Sequence, residues 1–136
     1  MKDQSLNNER VEELLSFLPF FERIRGKKVT IWRGGEKRAD GSFAWPSPDY
    51  PAEVYKFFRV AAQPWWADHN YLAAKPRELM ASEMKSADMN QIKSVLTFCV
   101  RGERFCDGFW EEQLESGALI PVLERISYLW QEKISR

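Results

Sequence analysis

Apolar residues recur at helical spacing through much of this chain. Val11, Leu14, Leu15 and Leu18 share one side of a helix while Glu9, Arg10, Glu12 and Glu13 take the other, and Asn7 or Asn8 can cap it. That helix is expected to end near Pro19. Pro51 suits the opening turn of a helix carrying Val54, Tyr55, Phe57 and Phe58. Asp88 can cap a longer one, whose apolar stripe is Ile92, Val95, Leu96, Cys99 and Val100. Gly108 and Gly117 bracket a short Trp110–Leu114 helix, and Pro121 falls in the first turn of a last helix that buries Leu119, Val122, Leu123, Ile126 and Leu129.

The period changes after Gly26. Val29 and Ile31 alternate with Thr30 and Trp32, which predicts a strand. Turn residues from Gly34 to Gly41 lead to Ser42, Phe43, Ala44 and Trp45 as the returning strand of a hairpin. From Gln63 to Asp88 periodicity is weak, with a helical piece predicted at Glu78 to Lys85. The expected architecture is α+β: one domain over residues 1–136, mostly helical, with about five helices around a short antiparallel β-hairpin. Leu15, Leu18, Phe57, Val95, Phe98, Phe105, Trp110, Leu123 and Ile126 are expected in its core.

Composition narrows the classes. At 136 residues, 44% of them hydrophobic and 14% aromatic, the chain can bury a real core but not two independent ones. Twenty basic side chains balance twenty acidic ones, so no global field draws it to polyanions or to an anionic membrane. No apolar run approaches the ~20 residues of a membrane span. The start of the chain has no apolar signal core, so a cytoplasmic location is expected. Cys99 and Cys106 are poorly placed for a disulfide within one helix, and both thiols are expected reduced and packed. One histidine and two separated cysteines do not make a zinc set, so neither metal nor cofactor is expected. His69 beside Asp68 offers only a weak general-base dyad, because adjacent residues do not face each other on a helix.

Three sets of residues could carry function. The first is a polar cluster, Arg101, Glu103, Arg104, Asp107 and Glu111, whose three- and four-residue spacings would set two arginines against carboxylates on a continuous helix. The structural reading is a charge-paired helix joint packed by Phe105, Phe109 and Trp110. The functional reading is an anion pocket, for a ligand-binding protein or an enzyme, at Arg101 and Arg104. The second set, Trp45, Tyr50, Trp65 and Trp66, could line an aromatic groove for a peptide or small molecule, or simply cap the core.

The third set is basic. Arg25, Lys27, Lys28, Trp32 and Arg33 belong to a stretch, residues 23–38, in which Glu36 is the one acid. Such a hairpin could follow a phosphate backbone and stack a base, but the balanced charge of the chain argues against a dedicated nucleic-acid domain. Alternatively it could dock on the acidic face of Glu103, Asp107, Glu111, Glu112 and Glu115, within one molecule or between two copies in a homodimer.

The run from Val100 to Trp110, with its RGERFCDG core, followed by Leu114-Glu115-Ser116-Gly117 and Leu123-Glu124-Arg125, resembles the C-terminal signature of a family of small uncharacterised bacterial proteins, a domain of unknown function. Leu18-Pro19-Phe20-Phe21 and the segment from Tyr50 to Phe58 are similar to its other recurring pieces. The resemblance implies a bacterial cytosolic protein and assigns no catalytic residue. Together these readings favour a non-enzymatic binding or regulatory module, with an unidentified protein or small-molecule partner.

Overall fold

The computed structural model describes residues 4–68, 70 and 74–135. Helix α1 spans Asn8–Leu15, and the Asn7 side chain accepts from the Arg10 amide at 2.9 Å as its cap. The chain then breaks at Ser16 and Phe17, and α2 runs over Leu18–Ile24. Pro19 therefore opens the second helix instead of ending the first, because a first-turn proline forfeits no helical hydrogen bond. Helix α3 covers Ala52–Ala61 with Pro51 at its N-cap.

Helix α4, Ala74–Glu78, continues through a π-turn at Leu79–Glu83 and a 3₁₀ turn at Met84–Ser86, where a single helical piece from Glu78 to Lys85 was expected. Asp88 and Gln91 form a reciprocal capping box at the start of α5, Met89–Phe105. Gly108 and Gly117 bound α6, which at Phe109–Ser116 is longer than predicted, and α7 is Leu119–Ile134.

Strands β1 (Ile31–Arg33) and β2 (Ser47–Asp49) pair antiparallel, with Trp32 opposite Pro48. The returning strand is thus not residues 42–45. Those residues belong to the long arm of the hairpin, held to its outward limb by an isolated bridge between Lys37 and Phe43.

The α1, α2, α3, α5 and α7 helices surround the core. Phe57 is its hub, meeting Phe17 and Phe21 edge-to-face at 5.5 and 4.7 Å. Val95, Leu123 and Ile126 are fully buried and Phe98 nearly so, as expected, while Leu15, Leu18 and Trp110 pack against the core from partly buried positions. Phe105 is 84% exposed, because it lies on the last turn of α5 after that helix has passed the core. Cys99 is buried but Cys106 is exposed; both are free thiols, so only one of them is packed. Burial alone pushes the Cys99 thiol up to about 12. No helix among the described residues is long and apolar enough to cross a membrane.

Candidate functional site

The polar cluster is organised around Glu103. Helix α5 ends at Phe105, and the chain turns through Cys106, Asp107 and Gly108 into α6. Asp107 therefore leaves the helical face on which it would have met Arg104 and Glu111. Glu103 folds back over the start of α6. Its Oε1 accepts the Trp110 amide at 2.8 Å and its Oε2 the Gly108 amide at 3.0 Å. The Tyr50 hydroxyl reaches the same carboxylate, at 2.9 and 3.0 Å from its two oxygens.

Gly108 has no side chain with which to cap α6, so a glutamate from the preceding helix does it. Burial, and then this bond to Glu103, hold the Tyr50 phenol well above the ordinary tyrosine range. Glu103 thus links α5 to α6, but its carboxylate is satisfied by backbone amides and a phenol and not by the arginine forks expected of a charge-paired joint.

The surrounding residues explain the unusual mixture of the segment. A Cβ on Gly102 would come within 2.3 Å of the Phe109 ring, so glycine lets α6 close against α5. Gly108 adopts φ +91°, a left-handed conformation, and the Trp32 ring lies over it. Trp110 stacks on Phe58 with centroids 4.1 Å apart and donates its indole N–H to the Cys99 carbonyl at 2.8 Å.

The 23–38 segment packs on α6 inside the molecule, and among the described residues no cation of it is ion-paired with an acid of α6. The Trp32 indole donates to Glu111 Oε2 at 2.7 Å, the Gly26 amide donates to the Glu115 carbonyl at 2.9 Å, and the Arg25 side chain crosses Gly117. Arg33 turns to Asp49 across the strands, at 3.2 Å. Lys27 and Lys28 are exposed beside them.

The four aromatics proposed as a groove do not converge. Trp66 is wholly buried, Tyr50 is buried against Trp110 and Tyr55, and Trp65 is half-buried beneath the Arg10 guanidinium, 3.8 Å from the ring. Trp45 stands apart on the hairpin arm, 81% exposed. It meets Phe43, itself half exposed, edge-to-face at 5.3 Å. The Asp68–His69 pair cannot be placed, since His69 lies outside the described residues; the Asp68 amide donates to Thr97 Oγ1 at 2.8 Å.

An open cleft of about 390 Å³ lies over the joint, where α3 faces the end of α5. Arg104 lines it, together with Arg59 from α3, a residue the linear sequence gave no reason to join to the cluster. Arg101 does not line it. Phe58, Val100 and Trp110 provide apolar wall.

A family profile matches residues 6–132, nearly the whole chain. The chain belongs to DUF6508, a family of unknown function. No curated protein and no solved structure matches it.

Proposed function

We propose that this DUF6508 chain is a non-enzymatic binding module of the bacterial cytoplasm, and that its contact surface is the arm of the hairpin. The observation that carries the reading is the exposure of Phe43 and Trp45 on the arm, with Ile31 and Trp32 exposed on β1 at its base. Large apolar side chains that meet each other in solvent, as Phe43 and Trp45 do, are costly to keep in water and mark contact surfaces. Lys37 and Arg38 are exposed on the arm and Lys27 and Lys28 just before β1, where they outnumber the exposed Glu36 and Asp40, which favours an acidic partner. The partner is accordingly an acidic protein segment with interspersed apolar side chains: aromatic anchors give affinity, and the cations give register and encounter rate. Two free thiols, one of them exposed, suit a reducing compartment, and the resemblance of the 100–110 run supports the bacterial origin.

Fluorescence anisotropy with a labelled peptide of alternating glutamate and leucine tests this. Binding is expected to weaken with salt and to be lost both in Phe43→Ala/Trp45→Ala and in Lys37→Glu/Arg38→Glu. A single-stranded oligonucleotide bound as tightly as the peptide would replace the reading with nucleic-acid binding. Salt-sensitive dimerisation in sedimentation, abolished by the same substitutions, would make a second copy of the chain the partner.

A further inference from the structure

We propose that the cleft over the joint is a binding site for a small monocarboxylate with an apolar body, distinct from the hairpin surface and independent of its function. Arg59 and Arg104 approach the cleft from two different helices, and among the described residues neither guanidinium has a carboxylate within 4 Å. The guanidinium fork is the side chain best matched to a planar carboxylate. Val100, Phe58 and Trp110 provide the surface against which an aromatic or branched body would lie. The volume, about 390 Å³, falls in the range of small-molecule sites.

The Glu103 carboxylate also lines this cleft, yet it does not cancel the two arginines. Three donors already surround it: the Tyr50 hydroxyl and the Gly108 and Trp110 amides. Its charge is spent on the positive end of α6. It still sets a limit on the ligand, because a dianion would be repelled more strongly than a monoanion. The α6 amides that would otherwise suit a phosphate are occupied as well. Both effects select a carboxylate over a phosphate.

The test uses the full chain and phenylacetate as probe, followed by NMR at the Val100 methyls, the Trp110 indole N–H and the arginine Nε–H groups. Saturable shifts at these positions are expected with phenylacetate. Phenylacetamide, the uncharged analogue, should bind about tenfold more weakly or less, as should phenylacetate to Arg59→Met/Arg104→Met, since charge-assisted hydrogen bonds are lost in both cases. Both arginines are exposed, so the variant should melt with the parent chain. Should it not fold, Arg59→Met alone and the amide comparison in the parent chain carry the test. The proposal is overturned if phenylacetate produces no shifts, if shifts appear only away from these residues, if phenylacetamide binds equally well, or if inorganic phosphate binds more tightly.

Discussion

The joint at residues 102–111 and the hairpin at residues 31–49 draw on the same materials, charged side chains interleaved with tryptophan, phenylalanine and glycine, and use them in opposite ways. In the joint the inward-facing groups have internal partners: Glu103 holds three donors, Trp110 holds Phe58 and the Cys99 carbonyl, and Gly102 makes room for Phe109. In the hairpin Trp32 ties the base to Glu111 and Arg33 pairs with Asp49, while on the arm the Phe43 and Trp45 side chains have each other and solvent. A charged and aromatic stretch is therefore structural where backbone donors saturate its carboxylates. It is available for recognition where its aromatics are left outside the core.

The sharpest way to break this comparison is Glu103→Ala. It strips the start of α6 of its acceptor and leaves a buried phenol without its partner, so urea denaturation should show a loss of about 3 kcal/mol. A loss within the range of ordinary surface substitutions would mean that the joint does not hold α5 to α6. Gly102→Ala should cost about 2 kcal/mol, because displacing the Phe109 ring outweighs the gain in helix propensity. A neutral or stabilising result would show that α6 can shift freely on α5.

Tyr50→Phe should cost about 1 kcal/mol near neutral pH, and it also alters the alkaline limb. The folded state raises the pKa of Tyr50, so it favours the neutral phenol. The stability this contributes is fully present below the ordinary tyrosine pKa, about 10, and is lost as pH rises above it. The phenylalanine variant should therefore lose stability less steeply above that pH. A residual slope remains from Cys99, which is raised in the same sense. The smallest effect is expected on the hairpin: Phe43→Ala/Trp45→Ala should change unfolding free energy by less than about 0.5 kcal/mol while abolishing peptide binding. A large drop in melting temperature would move the hairpin into the structural class and erase the contrast.

Helix starts and stops were legible wherever their cause is local. Asn7, Asp88, Pro51, Gly108 and Gly117 act within a few residues of themselves, and amphipathic faces repeat within a turn. The α+β class and most of the core followed from these. Pro19 was the exception, since a proline near a helix end can close one helix or open the next. The hairpin was visible as a hairpin, but its register was not: a long arm can return at 42–45 or at 47–49, and only the docking of Trp32 on α6 and of Asp49 beside Tyr55 fixes which.

By itself, then, the sequence determined the helices, their caps, the apolar faces and the concentration of charge and aromatic side chains at 101–111 and 23–38. Tertiary structure alone decided what those charges meet. Glu103 and Tyr50 are 53 residues apart, Trp32 and Glu111 are 79 apart, and Arg59 joins Arg104 only because α3 packs beside α5. The reason is physical: ending α5 at Phe105 instead of carrying it through Asp107 rotates every later side chain to a new neighbour, and no local propensity encodes which neighbour that is.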